Sequence, residues 1–186
     1  MKELVRCKSC GYIMEKGKLH GKCPACGVLD KMFEPYTENI SPKRKAILAL
    51  DLHPVLVHFP QGLIGVVLVL SLIAMTVHGA THERLAAAIV VLGYTMPFVV
   101  LAAFLAGLLD GKVRFRRFTT PLLKTKMIVG SLFFLFSCGL LAVAAMRPEL
   151  PASALIAVLG LSLAGSVCAT YLGKIGTSLL NSRFPG

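Results

Sequence analysis

Tryptophan is absent from the 186 residues, and acidic side chains are scarce: 9 Asp and Glu stand against 20 Lys and Arg, a formal net charge of +11. The sequence also lacks a nucleophile–base pair, a phosphate-binding glycine loop and a paired-carboxylate motif. Those absences rank a membrane oxidoreductase with its own substrate below an electron carrier. Residues 1–30 hold no apolar stretch ending in a cleavage site, so no secretory leader is expected. The basic surplus invites a nucleic-acid reading, but its distribution argues for none. Residues 1–38 carry seven Lys/Arg and five Asp/Glu, close to balance. The excess lies beside apolar segments, at KRK (43–45) and in DGKVRFRRFTTPLLKTK (110–126), where membrane orientation accounts for it.

What the sequence has in abundance is apolar residues, 55% of the chain, with a mean hydropathy of +0.74. Long apolar runs predict four membrane spans near residues 55–77, 85–109, 122–146 and 151–173. Each reaches across a hydrocarbon core of about 30 Å at about 1.5 Å per residue. Pro121 and Pro151 suit first helical turns, Thr120 a start cap and Gly111 an end cap. Pro97 falls inside the second span and predicts a kink. Gly165, Ala169 and Gly173 form a small-residue ridge on the fourth, suited to close helix packing. Lys and Arg number three before the first span, one in the first loop, six in the second, one in the third and two in the tail. The alternation predicts that both termini and the long basic loop are cytoplasmic in a multi-pass membrane protein, for which a bacterial inner membrane is the expected location.

Ahead of the spans stands CKSCGYIMEKGKLHGKCPACG (7–27), two Cys-x-x-Cys-Gly units separated by twelve residues. The arrangement is open to a metal site, two disulfides or redox dithiols. A cytoplasmic address disfavours disulfides. A unit of about 40 residues has too little core to fold alone, and a metal supplies the missing free energy. Four thiolates on Cys7, Cys10, Cys23 and Cys26 make a tetrahedral set for iron or zinc. His20, within the loop, reads as a surface residue, and Cys138 and Cys168, inside spans, as small core residues.

The stretch RCKSCGYIMEKGKLHGKCPACGVLDKMFEP resembles a rubredoxin domain, in the short version found at the end of rubrerythrins. Cys-x-x-Cys-Gly-Tyr (7–12), Cys-Pro-Ala-Cys-Gly (23–27) and Phe33-Glu34 carry the resemblance, which covers about residues 4–35. It implies one iron held by the four cysteines and cycling between ferric and ferrous states, with Tyr12 and Phe33 as aromatic cover. Two departures keep zinc as the alternative: Val5 stands where such domains often place an aromatic residue, and tryptophan is missing. The fold class that follows is a membrane all-α protein, a four-transmembrane-helix bundle with a small N-terminal rubredoxin-like metal knuckle. Its expected divisions are a metal domain (1–38), a basic linker (39–50) and a helical domain (51–186).

LDLHPVLVHFPQGL (50–63) is the other unusual stretch. With the four-span plan, its His-Pro and His-Phe-Pro resemble an uncharacterised bacterial family of four-helix membrane proteins, over most of residues 50–180. A histidine common near the start of that family's third helix is missing here, where PLLKTKMIVG stands instead. Pro54 and Pro60 are expected to interrupt regular helix around His53 and His58. These histidines are five residues apart on one segment, and the third and fourth spans contain none, which disfavours a bis-histidine haem. Haem on a single histidine with Met or Lys stays open. A quinone headgroup suits His53, His58 and Gln61 as donors, with Asp110 as a proton relay. His78 and His82, in HGATHER, read as a polar turn or a weak metal pair. The expected function is one-electron transfer by a membrane-tethered iron centre, between a soluble redox partner and a quinone or haem. The alternative is a zinc-ribbon interaction module on a structural or transport bundle.

Overall fold

In the N-terminal unit, short β-branched and apolar runs alternate with glycine turns, and three strands form. The computed structural model describes residues 3–37, 46–47, 50, 52–115 and 121–180. Positions 43–45, Thr120 and the side chain of His53 lie outside the described set. Strand β1 (Leu4–Cys7) is central, flanked by β2 (Ile13–Glu15) and β3 (Phe33–Tyr36), both antiparallel to it. Val5 pairs with Met14 on one side and Pro35 on the other, and Cys7 pairs with Phe33. Single 3-10 turns at Lys16–Lys18 and Asp30–Met32 complete the unit. Val5, Cys7 and Cys23 are its buried apolar residues. So small a core needs a further constraint to hold one structure.

The helical unit contains α1 (Leu52–Ala74), α2 (Ala80–Phe115), α3 (Pro121–Met146) and α4 (Ala152–Leu180). All four are long and apolar enough to cross a membrane, the plan of a multi-pass membrane protein. Ile64 and Val67 of α1, Met96 and Val100 of α2, Phe133 and Leu140 of α3, and Leu155 and Val158 of α4 meet in one core. Close approach rests on small residues. A Cβ on Gly93 would lie 3.0 Å from Ala144 Cβ and 3.3 Å from the Leu140 carbonyl oxygen, so α2 and α3 nearly touch there. Three buried hydroxyls are satisfied within their own helices, Ser71 donating to Val67 at 2.6 Å, Ser137 to Phe134 at 2.6 Å and Ser162 to Leu159 at 3.0 Å, whereas the buried Ser166 hydroxyl has no partner among the described residues. Between α3 and α4, Leu150 takes φ +44° and is fully buried, so its side chain anchors a turn that a β-carbon disfavours.

Several expected boundaries are corrected. The first helix covers 52–74 rather than 55–77, and Pro54 and Pro60 lie within it. Pro54 falls in the first turn, where no intrahelical N–H bond is required. Pro60 leaves one carbonyl without its usual donor, yet the helix continues, as helices near hydrocarbon do when neighbouring helices support them. The second helix runs from 80 to 115, not 85 to 109, and continues through Pro97. Asp110 and Gly111 are therefore interior positions and not a helix end. A Cβ at Gly111 would come within 3.0 Å of Leu123 Cδ1, so this glycine is kept small by packing against α3. Pro121 does open α3, and Pro151 immediately precedes α4.

Candidate metal centre

Each Cys-x-x-Cys-Gly unit folds into the same turn. In the first, the Cys7 N–H donates to Tyr12 O at 2.8 Å and the Gly11 N–H to Cys7 O at 2.8 Å. In the second, the Cys23 N–H donates to Val28 O at 2.7 Å and the Gly27 N–H to Cys23 O at 2.9 Å. Gly11 and Gly27 adopt φ of 77° and 76°, a left-handed conformation that a side chain resists. The matched turns place two thiols from each loop around one point. The Cys7 and Cys26 sulfurs are 3.8 Å apart, as are those of Cys10 and Cys23. All four sulfurs lie within 4.8 Å of one another.

These spacings test the donor set. A sulfur tetrahedron with metal–sulfur bonds of about 2.3 Å has edges of about 3.8 Å, which both of those pairs match. A disulfide needs about 2.05 Å, and all four cysteines are free. The residues present therefore fit a tetrahedral thiolate-bound ion. Among the described residues, this is the group of three or more His, Cys, Asp or Glu side chains able to share one.

The four ligands are not equivalent. Cys7 and Cys23, the first of each pair, are buried, whereas Cys10 is half-buried and Cys26 exposed. Burial opposes ionisation of Cys23, but the Cys26 and Ala25 N–H groups and the neighbouring thiols of Cys26 and Cys10 bring its pKa down to about 7. At Cys10 the Tyr12 N–H favours the thiolate, yet desolvation and the thiols of Cys26, Cys7 and Cys23 push it up to about 12. Without a cation, four thiolates so close repel one another, and one of them ionises first. The aromatic cover is thinner than expected: Phe33 is half-buried, but Tyr12 is 43% exposed. His20 is exposed and outside the cluster.

The residues singled out in the helical unit lie on α1 and α2. Gln61 is half-buried and its amide nitrogen donates to Ala169 O on α4 at 3.2 Å. His58 is exposed on α1, and Asp110 is half-buried within α2. Sequence reasoning missed the role of His82, whose Nδ1 lies 3.1 Å from Ala74 O at the end of α1. That bond satisfies a carbonyl left over at a helix C-terminus. The signal available was a histidine eight residues beyond the last residue of the span.

Comparison with known families agrees with this geometry: residues 6–34 match the family of the rubrerythrin rubredoxin-like domain. No curated protein and no solved structure matches the chain. The matched segment spans both turns, all four cysteines and the first half of β3. The chain thus carries an N-terminal rubredoxin-like domain, with a clustered four-cysteine site, ahead of four helices able to span a membrane.

Proposed function

We propose that this protein transfers single electrons through an iron ion bound by Cys7, Cys10, Cys23 and Cys26, held at a membrane by the four helices. The observation that carries this reading is a tetrahedral thiolate set in a rubredoxin-like domain whose Cys26 reaches the surface. Iron bound there supplies a ferric/ferrous couple with little change in ligand geometry. The chain's own part is to hold four sulfurs fixed, exclude water at Cys7 and Cys23, and offer Cys26 as the point of approach. Backbone N–H groups on the Cys10 and Cys23 sulfurs favour the more negatively charged, reduced site.

Tethering confines the centre to a bilayer surface and raises its effective concentration there. The Lys/Arg distribution supports cytoplasmic termini in what we take to be a bacterial inner membrane, so that a soluble redox partner would be met on that side. A quinone is the membrane acceptor in this reading, and exposed His58 is the side chain its headgroup would meet first. Gln61 gives one amide N–H to Ala169 O, which fixes its place between α1 and α4, and its amide carries a second N–H for a headgroup. A haem acceptor draws less support, since the third and fourth helices contain no histidine to face those of the first across an iron.

A zinc-ribbon module is the second reading, favoured by the 43% exposure of Tyr12 and by Val5 in a position suited to an aromatic cover. Potentiometric titration of the detergent-purified chain distinguishes the two. One reversible electron per chain, followed in the visible spectrum, supports electron transfer; a zinc-bound chain that takes up none overturns it.

A further inference from the structure

Charge is unevenly used in the rubredoxin-like domain. Away from the ligands, Lys16 bonds Glu3 at 2.8 Å and Lys18 lies 3.5 Å from Glu15. Across β1 and β3, Arg6 pairs in register with Glu34. Beside the ligands the pattern reverses. Lys8 follows Cys7 in the first turn, Lys22 precedes Cys23, and Lys31 adjoins Met32, whose carbonyl accepts the Lys8 N–H at 2.8 Å. All three lysines are exposed, and none has a carboxylate within ion-pairing distance among the described residues. Residues 7–12 and 20–32 contain a single acid, Asp30.

Apolar surface sits among these cations. Tyr12, whose N–H points at the Cys10 sulfur, is 43% exposed; Leu29, bridged to Lys22, is 48% exposed; Met32 is 37% exposed. An apolar centre with a rim of unpaired charge is the composition of a transient docking site, where charge steers encounter and apolar contact follows.

We propose that this face, Tyr12, Leu29 and Met32 rimmed by Lys8, Lys22 and Lys31, docks a soluble electron-carrier protein with an acidic rim around its own cofactor. The inference rests on the electron-transfer reading and adds the partner's chemistry to it. The rim's sign selects against basic carriers, and the exposed Cys26 becomes the ligand nearest the incoming surface.

The test is a binding measurement that does not depend on redox activity. The full chain in phosphatidylcholine nanodiscs is titrated with labelled flavodoxin, an acidic carrier, and with cytochrome c, a basic one, over a range of salt. Flavodoxin is expected to bind, with affinity falling as salt rises, and cytochrome c not to bind. The Lys8→Glu/Lys22→Glu/Lys31→Glu variant should lose on the order of tenfold in flavodoxin association at low salt. Leu29→Ser should weaken binding while leaving its salt dependence unchanged. Metal content reports that each variant's site is intact, and Lys22→Glu alone serves if the triple variant loses metal. Equal binding of both carriers, or flavodoxin binding indifferent to the lysines, overturns the proposal. So does loss of flavodoxin binding when phosphatidylglycerol replaces phosphatidylcholine in the nanodisc at the same salt, because the face would then be docked on lipid. Zinc in the same samples would reject electron transfer separately, without affecting the binding result.

Discussion

Gln61 on α1 donates its amide to the carbonyl of Ala169 on α4 at 3.2 Å, and a Cβ on Gly173 would come within 3.3 Å of the same nitrogen. The polar side chain and the small-residue ridge thus form one contact between the first and last helices. Gln61→Leu keeps the bulk and removes the donor. It should cost about 0.6 kcal/mol, with about 1.7 kcal/mol as a ceiling for such interhelical bonds. Gly173→Leu should cost more, because it displaces the amide. Thermal unfolding in detergent, followed by helical circular dichroism, checks both; metal content should stay at the wild-type level.

The cysteines should separate by burial. Cys7→Ser and Cys23→Ser remove ligands from the buried side and are expected to abolish metal binding and loosen residues 3–37, leaving the helices inserted. Cys26→Ser replaces the exposed ligand and should retain a weaker, spectrally shifted site. Metal analysis with visible spectra distinguishes the three. Retention of metal and colour by Cys23→Ser would contradict the ligand assignment.

Metal removal should act on one unit alone. A strong chelator is expected to loosen and destabilise the rubredoxin-like domain, whose buried apolar set is Val5, Cys7 and Cys23, with no loss of helical signal. Proteolysis of the chelated chain would cut within residues 3–37 and spare the helical unit.

Metal uptake should be pH-dependent, with a sign that follows from the thiols. In the metal-free domain, Cys23 has a pKa lowered from 9.0 to about 7. Its contribution to apo-domain stability is present above pH 9 and lost as pH falls through about 7. Cys10, raised from 9.0 to about 12, contributes below pH 9, and that contribution is lost as pH rises through about 12. Ligation releases the thiol protons, so metal affinity should fall as pH drops across the neutral range, where Cys10 is still protonated, and more steeply below about 7, where Cys23 is protonated as well, by about 1.4 kcal/mol per pH unit for each proton released. Competition with a chelator across pH 5 to 8 measures this; an affinity independent of pH would contradict thiolate ligation.

At the other end of the bundle, His82→Ala should loosen the turn between α1 and α2 by about 1 kcal/mol, through loss of the bond to Ala74. Faster hydrogen exchange confined to residues near 74–82 would report it.

The sequence disclosed those features whose chemistry is local. Two Cys-x-x-Cys-Gly turns require their glycines at 11 and 27, and apolar runs of spanning length admit little but helix. Helix ends were less legible, because Gly111 and Pro60 carry soluble-protein meanings that packing overrides. Gln61 was read as a quinone donor from its place beside His58, and its contact with Ala169 was not legible because that partner is a backbone carbonyl 108 residues away, a group every residue possesses. The Gly165, Ala169 and Gly173 ridge was visible, but which polar side chain would lie on it was not. Nor could spacing alone foretell that Tyr12 would stand largely uncovered beside Cys10.

The most direct test of an iron electron carrier is metal analysis with an oxidised-minus-reduced spectrum of the full chain purified in detergent. One iron per chain, with thiolate-to-ferric bands that bleach on reduction and return on oxidation, is the predicted result. A colourless chain holding one zinc would contradict the account.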